Sequence, residues 1–268
     1  MSVIVGDCRV VLPCLPSGVA QCCVTSPPYF GLRDYGVDGQ IGLERTLEAY
    51  VAEMVSVFRE VRRVLREDGT LWLNVGDSYV NKQRQMVPAR VALALQADGW
   101  LLRDEIVWHK PRTTPAPVKD RTVAAHEMVY LLAPSRSYFF DWEALETPAK
   151  YPGVKRRSGK AFRDLAESDP NAARKRPSAD REITVRDTTR ARSVWSVSPS
   201  PYPAAHFATM PPDLAERCIR GGSRAGDVVL DPFAGAGTTA MVAKQLGRYP
   251  VSIELNPEYA ALISERAP

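Results

Sequence analysis

The chain has 268 residues, of which 45% are hydrophobic and 25% are charged, a composition typical of globular proteins. It contains no run of the roughly 18 apolar residues that a membrane helix needs, and its first residues lack the basic start of a secretory signal peptide. We therefore expect a cytoplasmic protein that has no membrane partner.

The formal net charge of +4 is unevenly distributed along the chain. Between Lys150 and Arg192 there are thirteen Lys or Arg residues and six Asp or Glu residues, so this segment carries +7 and the rest −3. A basic segment on a nearly neutral body is typical of proteins that bind a polyanion. A solvated, flexible loop can have the same charge pattern.

The cysteine and histidine pattern indicates neither a disulfide framework nor a zinc site. The three histidines are far apart, and the five cysteines form no CxxC pair. The sequence predicts buried free thiols and no bound metal.

The first zone of the chain alternates predicted strands and helices. The predicted strands are Val3–Val5, Gln21–Thr25, Thr70–Val75 and Leu101–Trp108, and the predicted helices are Leu43–Arg66 and Val87–Ala97. In the longer helix, apolar residues recur at steps of three and four, and Asp68-Gly69 follows as a stop signal. Strands that alternate with helices predict a parallel α/β sheet.

The later zones differ in their regularity. A strand pair is predicted at Glu127–Ala133 and Tyr138–Asp141, but periodicity disappears between Lys150 and Thr189. That stretch is predicted to be a long loop, a small irregular lobe or partly disordered. Order then returns in five predicted elements: a helix at Pro212–Arg220, a strand at Asp227–Leu230, a helix at Thr238–Leu246, a strand at Val251–Glu254 and a helix from Pro257.

A glycine-rich turn links the predicted strand and helix of the last zone. Gly235 and Gly237 lie there, where missing side chains let backbone N–H groups approach a ligand. Glu254 ends the next strand, a suitable place for an acid that accepts hydrogen bonds from ribose hydroxyls. Asp231 ends the preceding strand, where its carboxylate can face a cationic ligand.

Three nucleotide-type ligands are candidates for this turn. A P-loop would need a lysine directly after the glycines, and Thr238 stands there instead. The run Gly235–Ala240 matches a dinucleotide fingerprint, but such a fingerprint usually opens its fold. S-adenosylmethionine (SAM) has ribose and adenine but no phosphate, and fits an acid before the glycines. A purely structural turn is the fourth alternative.

The run Thr25-Ser26-Pro27-Pro28-Tyr29 forms a rigid turn after a predicted strand, because Pro27 and Pro28 cannot continue it. An exocyclic base amine is a poor nucleophile, since its lone pair is delocalised into the ring. The Ser26 hydroxyl and the Pro27 carbonyl can accept hydrogen bonds from such an amine and orient it. Tyr29 can stack on a base removed from the duplex. A diproline turn with a packed aromatic ring is the structural alternative.

These two motifs resemble those of the amino-directed DNA methyltransferases. Thr25–Tyr29 is similar to the family's catalytic motif and Asp231–Thr239 to its SAM motif, and the catalytic motif comes first, as in the β-type arrangement. The resemblance covers nearly the whole chain except about 150–190. Further similar stretches are Gly6–Cys8, Asn74–Ser78, Trp108–Pro111, Asp120-Arg121, His126-Glu127, Tyr138–Asp141 and Ala205–Pro211.

The resemblance implies a Rossmann-like SAM-dependent methyltransferase fold with a permuted strand order and an inserted basic target-recognition region. It implies that the catalytic residues are Ser26, Pro27, Pro28 and Tyr29. It also implies that SAM is the cofactor, bound by Asp231, Phe233, Gly235, Gly237 and Glu254, with Asp7, His206 and Thr209 as less specific matches.

The resemblance also suggests how the chain is divided and what it binds. We expect a catalytic half at 1–112, a continuation of the core sheet at 113–148, a basic insert at 149–193 and a SAM-binding half at 194–268. Double-stranded DNA is the expected partner, and a homodimer and a companion restriction endonuclease are further candidates. The predicted phosphate contacts are Lys155, Arg156, Arg157, Arg174, Lys175 and Arg176.

The first motif position bears on the target base. Ser26 matches the residue that the cytosine-N4 subgroup has at this position. Asp there would indicate adenine N6, and some adenine enzymes also have Ser.

Cytosine-C5 methylation would need a nucleophilic cysteine, and Cys14 precedes the relevant strand and has no neighbour that would activate it. Protein-glutamine enzymes have Asn in place of Ser26, and a non-enzymatic DNA-binding module would leave both motifs without a role.

Overall fold

The computed structural model describes residues 2–113, 118–153, 155–158, 181–184, 186–199 and 210–267. They form two compact units. One unit comprises residues 1–144 with 192–268, and the other comprises residues 145–191. The larger unit contains both predicted motifs.

The strands are, in chain order, β1 (Ser2–Val5), β2 (Ala20–Thr25), β3 (Leu65–Val75), β4 (Tyr79–Val80), β5 (Gln83–Arg84), β6 (Leu101–His109), β7 (His126–Ala133), β8 (Thr147–Pro148), β9 (Lys155–Ser158), β10 (Arg181–Thr184), β11 (Thr188–Thr189), β12 (Val194–Ser196), β13 (Val228–Asp231) and β14 (Tyr249–Glu254). The helices are α1 (Cys8–Val11), α2 (Leu47–Val64), α3 (Val87–Ala97), α4 (Pro212–Gly222), α5 (Thr238–Gln245) and α6 (Pro257–Arg266). Short 3-10 turns lie at Leu12–Cys14 and Glu143–Leu145.

Eight strands of the larger unit form one sheet in the order β1-β14-β13-β2-β3-β7-β6-β12. β7 is antiparallel to both of its neighbours, and the other neighbouring pairs are parallel. β13 and β14 come last in the chain but lie between β1 and β2. The predicted α/β fold with a permuted strand order is therefore confirmed.

The direction of the strands decides where the candidate site lies. Parallel strands end at one edge of the sheet, where ligands of open α/β folds bind. Ser26 follows β2, Asn74 lies near the end of β3, and Asp231 and Glu254 end β13 and β14. Because β7 runs the other way, Glu127 at its start reaches the same edge.

α2 packs one face against the sheet. The hydroxyl of Thr46 caps its start by accepting a hydrogen bond from the Ala49 N–H at 3.2 Å. Met54, Phe58 and Val61 are fully buried, at the three- and four-residue steps that the sequence predicts. The helix thus fixes the loop between β2 and β3 over the sheet.

The end of α2 differs from the prediction. The helix stops at Val64, because Leu65 already pairs with Ala20 as the first residue of β3. The predicted stop signal lies inside this strand, at an irregularity of its pairing with β2. A Cβ on Gly69 would lie 3.0 Å from the carbonyl oxygen of Gln21, so the two strands approach closely there.

The predicted strand at Tyr138–Asp141 is wrong. β7 is paired on one side by β3 and on the other by β6, so it has no free edge for a further strand. The segment instead contacts β3 without joining the sheet as a strand. Its Phe139 N–H donates to the Asp68 carbonyl at 2.8 Å, and the ring of Phe140 stacks on Trp72 with the ring centroids 6.2 Å apart.

The smaller unit contains two short antiparallel strand pairs, β8 with β11 and β9 with β10. Residues 159–180, which include part of the basic segment, lie outside the described residues. In the part of the chain that the structure describes, no helix is both long enough and apolar enough to cross a membrane. Four of the five free cysteines are buried, but Cys14 is exposed, so the prediction of buried thiols is wrong for Cys14.

Candidate active site

A cavity of about 310 Å³ opens at the carboxyl edge of the sheet. Residues of both predicted motifs line it, including Ser26, Tyr29, Asp231, Phe233, Gly235 and Glu254. Pro27 and Pro28 also lie in the wall, whereas the exposed Cys14 does not. The structure thus brings together two motifs that are far apart in the chain.

A buried hydrogen bond joins the two motifs. The hydroxyl of Thr25, at the end of β2, donates to Oδ1 of Asp231 at 2.6 Å. The Phe233 N–H donates to the same oxygen at 3.1 Å. Asp231 is only 4% exposed, and burial raises the pKa of its carboxyl although hydrogen bonds from Thr25, Thr239 and Phe233 oppose the rise.

Both glycines of the glycine-rich turn adopt backbone angles that other residues rarely take. Gly235 has φ +51° and Gly237 has φ +78°, the left-handed region that favours glycine. A Cβ on Gly237 would lie 2.9 Å from the side chain of Ile263, so α6 can pack here only against glycine. Apart from its two chain neighbours, no described residue has an atom within 4 Å of a Cβ built on Gly235, which leaves space for a ligand against this turn.

Glu254 holds the turn to the neighbouring strand. Its Oε2 accepts the Gly235 N–H at 2.6 Å, and its Oε1 accepts the Asn256 N–H at 2.8 Å. Burial raises the pKa of Glu254, and these backbone N–H groups oppose the rise. Each carboxylate oxygen has a second lone pair, which can accept a hydrogen bond from a ligand hydroxyl.

Asp7 lines the cavity but is engaged by a neighbour. The guanidinium of Arg9 binds both of its carboxylate oxygens at 2.6–3.0 Å, and the Arg9 backbone N–H caps α1 on Oδ1. Burial acts to raise the pKa of Asp7, but the hydrogen bonds from Arg9 outweigh it, so the pKa is lowered. A contact of Asp7 with adenosine stays a prediction.

Four side chains form a hydrogen-bonded network at the catalytic motif. Oγ of Ser26 lies 3.1 Å from the hydroxyl of Tyr29, which donates to Oε2 of Glu127 at 2.8 Å. Nδ2 of Asn74 lies within hydrogen-bond distance of all three oxygens: 3.3 Å from Ser26, 2.5 Å from Tyr29 and 2.9 Å from Glu127. The ammonium of Lys110 binds the other oxygen of Glu127.

Close packing fixes the ring of Tyr29. A Cβ on Gly76 would lie 2.4 Å from Cε2 of this ring, so the ring rests directly on the glycine backbone. Burial raises the pKa of Tyr29 well above its ordinary value, and the charge of Glu127 adds to the rise. Tyr29 is therefore a neutral hydroxyl that donates a hydrogen bond. The hydroxyl of Tyr50 fixes the preceding turn by donating to the Pro28 carbonyl at 2.9 Å.

Asn74, Lys110 and Glu127 were not predicted from the sequence to have a role. A signal was present, because each of them belongs to a stretch that resembles the methyltransferase family. Asn74 and Lys110 are also near the ends of the strands β3 and β6, and Glu127 is near the start of β7. The sequence does not reveal that β7 runs antiparallel to its neighbours. This direction brings Glu127 to the active-site edge.

Several predicted site residues cannot be placed. His206 and Thr209 lie outside the described residues, as do Arg174, Lys175 and Arg176. Lys155, Arg156 and Arg157 lie on β9 of the smaller unit. Their roles in binding SAM or DNA stay predictions.

Known proteins support the same class of enzyme. The family model for DNA methylases matches residues 20–265. The type II methyltransferase M.SmaI of Serratia marcescens is 41% identical over 98% of this chain and 89% of its own length. TTHA0409 of Thermus thermophilus, solved with S-adenosyl-L-methionine, is 29% identical with a TM-score of 0.65 and covers 99% of this chain and 92% of that one.

A third comparison supports the fold alone. The cytosine-N4-specific PvuII DNA methyltransferase has a TM-score of 0.73 at 23% identity, covering 99% of this chain and 85% of that one.

Fold and site define a SAM-dependent methyltransferase. The chain belongs to the DNA methylase family; it is a site-specific DNA methyltransferase, and SAM is its cofactor.

The residues present fit this cofactor. SAM carries a sulfonium and an ammonium group, and the cavity wall contains the acids Asp231 and Glu254. Burial raises the pKa of both carboxyls, so a cationic ligand would relieve the cost of holding them ionised. Gly235, with the open space beside it, lines the same cavity as these two acids.

The burial of Asp231 generates a testable prediction about stability. Because its folded-state pKa is raised, its ionised form destabilises the unliganded protein at neutral pH. This cost is absent below the ordinary pKa of 3.8 and is complete once the pH has risen above the folded-state value. We expect Asp231→Asn to raise the free energy of unfolding at pH 7 by roughly 0.5–2 kcal/mol and to weaken SAM binding.

Urea unfolding across a pH series, with calorimetry of SAM binding, measures both effects. The gain in stability should shrink as the pH falls towards 4. A variant that is less stable than the wild type at pH 7 would contradict this account.

Proposed function

We propose that this protein methylates the exocyclic N4 of cytosine within a specific sequence of double-stranded DNA. In this proposal it acts in the cytoplasm as the modification enzyme of a type II restriction–modification pair, with a companion endonuclease. The relative M.SmaI is a type II methyltransferase, which supports that setting. The observation that carries the proposal is a neutral serine hydroxyl, Ser26, held in the cavity wall next to the SAM motif.

The chemistry of the amine explains why a neutral serine suffices. Bound SAM supplies an already electrophilic methyl group, so the amine need not lose a proton before transfer. Ser26 and the Pro27 carbonyl accept hydrogen bonds from the amine, which localises its lone pair on nitrogen. Ser26 is fixed for this task by Tyr29 and Asn74, at 3.1 and 3.3 Å.

The remaining residues of the proposed site bind and orient the two substrates. Asp231, Phe233 and Glu254 hold the cofactor beside the glycine turn, and Tyr29 lies in the wall where a flipped base would enter. Trp108 and Lys110 line the same cavity, with Lys110 Nζ 4.3 Å from the centroid of the Trp108 ring. Lys110 thus lies over the ring of Trp108 and pairs with Glu127 beside the catalytic motif.

Adenine N6 is the second candidate target. Ser in the first motif position favours cytosine N4, and the cytosine-specific PvuII enzyme shares the fold. The same two acceptors could hold an adenine amine, so the target base needs a direct measurement.

Mass spectrometry of nucleosides from cells that express the protein tests the target base. We expect to find N4-methylcytosine in this DNA. DNA from the same host carrying an empty vector should contain none. N6-methyladenine would overturn the choice of base, and the absence of any methylated amine would overturn the proposed activity. Methylation-sensitive sequencing of the same DNA gives the recognition sequence.

The site assignment predicts a separation of binding from turnover. Ser26→Ala should lower kcat on the order of 100-fold or more, since it removes one acceptor of the amine, while calorimetry shows unchanged SAM binding. Glu254→Ala should weaken SAM binding itself. Ser56→Ala on α2 and Glu258→Ala on α6 are matched controls at exposed positions. Wild-type turnover by Ser26→Ala would refute the assignment.

We also propose that the basic segment binds DNA phosphates. Its candidates form two groups, Lys155–Arg157 and Arg174–Arg176. Replacing all six with Gln should flatten the salt dependence of DNA binding, by about 0.9 in the logarithmic slope for each phosphate that is no longer bound. Replacing six exposed basic residues of the larger unit with Gln is the control for net charge: Arg45, Arg59, Arg90, Arg136, Arg220 and Lys244. An unchanged slope in the sixfold variant would show that other residues contact the phosphates.

A further inference from the structure

We infer that Glu127 is the final acceptor of the proton that the base amine loses, and that this proton moves through Ser26 and Tyr29. The inference rests on the proposed function, because it concerns the amine of the target base. It assigns to Glu127 a positioning and proton-accepting role without direct contact with the base.

The hydrogen positions in the network define a direction. Tyr29 has one hydroxyl hydrogen, and it donates this hydrogen to the carboxylate of Glu127 at 2.8 Å. In the 3.1 Å contact between Ser26 and Tyr29, Ser26 must therefore be the donor. With its hydrogen directed at Tyr29, Ser26 presents a lone pair to the amine. The chain of donors thus runs from the cavity to Glu127.

Asn74 provides independent support for this direction. Its Nδ2 contacts the oxygens of Ser26, Tyr29 and Glu127, whereas its buried Oδ1 has no hydrogen-bond partner among the described residues. The hydroxyls of Ser26 and Tyr29 each carry a hydrogen, whereas the carboxylate of Glu127 carries none. Glu127 is therefore the member of the network that can take up a proton.

The proposed transfer balances in atoms and charge. The amine nitrogen bonds to the methyl carbon as the carbon–sulfur bond breaks, and that electron pair stays on sulfur. The nitrogen then gives its proton to Ser26, Ser26 gives its own to Tyr29, and Tyr29 gives its own to Glu127. Ser26 and Tyr29 are unchanged, the methylated amine is neutral, and Glu127 has become a carboxylic acid.

The surroundings of Glu127 allow the proton to leave afterwards. Its side chain is 18% exposed and that of Lys110 is 21% exposed, so solvent can reach the pair. Lys110 occupies Oε1, which leaves Oε2 for Tyr29 and Asn74. The charged or titratable groups that bear on the network are Glu127, Lys110, Tyr29 and, through its effect on Tyr29, Tyr50.

A purely structural role for Glu127 is the alternative, since the carboxylate also holds Tyr29 in place. Glu127→Gln separates the two roles. A glutamine carbonyl still accepts the hydrogen bond from Tyr29, but it cannot take up the proton. Glu105→Gln is the matched control, because Glu105 is an exposed carboxylate on β6, paired with Tyr130 of β7.

We expect Glu127→Gln to lower the single-turnover rate constant on the order of 100-fold. Calorimetry should show SAM and DNA affinities within about twofold of the wild type. Glu105→Gln should match the wild type in every respect.

Chemical rescue provides a second test. In Glu127→Ala, added formate can bind between Lys110 and Tyr29 and accept the proton, so it should restore part of the rate. Formate should not rescue Tyr29→Phe, in which the connection from Ser26 is broken. Circular dichroism and SAM binding verify that each variant is folded.

Two results would overturn the inference. They are a wild-type rate in Glu127→Gln and equal effects of formate on Glu127→Ala and Tyr29→Phe. A wild type that methylates no base amine would instead overturn the proposed function, so the two failures are distinguishable.

Discussion

The hydrogen bond from Thr25 to Asp231 is the contact on which the active site depends. It joins residues 206 positions apart, at the ends of two adjacent parallel strands. One side continues into Ser26 and the catalytic turn, and the other continues into Phe233 and the glycine turn. Because both turns start from this bond, their relative position is set by the pairing of β2 with β13 rather than by a flexible loop.

This constraint explains why the permuted chain order is compatible with one site. The sheet requires only that β13 and β14 lie between β1 and β2, whichever part of the chain supplies them. Buried backbone pairing and the Thr25–Asp231 bond then fix the register. Catalytic geometry is thus a property of the strand order in space, which the order of motifs along the sequence does not alter.

The site combines two electrostatic regions with opposite requirements. Around Asp231 and Glu254, burial raises the pKa of acids that face the cofactor half of the cavity, so the unliganded protein bears a cost that a cationic ligand relieves. Around Glu127, the ammonium of Lys110 compensates the negative charge of the carboxylate, and the hydroxyl of Tyr29 stays neutral. The first region favours binding of a cation, and the second favours loss of a proton from the base.

The sequence predicts most of the fold and half of the site, for identifiable reasons. Ser26, Tyr29, Asp231 and Glu254 stand in or beside turns whose Pro or Gly content marks them, because such turns need special backbone angles. Glu127 carries no such mark, since a strand residue has an ordinary backbone. The predicted hairpin after β7 is wrong for a related reason: pairing partners lie far away in sequence, and β3 and β6 already occupy both edges.

The hydrogen-bonded network around Glu127 depends on the glycine at position 76. Tyr29 can reach Glu127 only because residue 76 has no side chain, since a Cβ there would lie 2.4 Å from the ring. Gly76 follows directly after β3, and Asn74 two residues earlier donates to the same hydroxyl at 2.5 Å. One strand end therefore supplies both the space for the ring and the donor that orients it. The catalytic turn is rigid because of its prolines, but β3 decides where its tyrosine points.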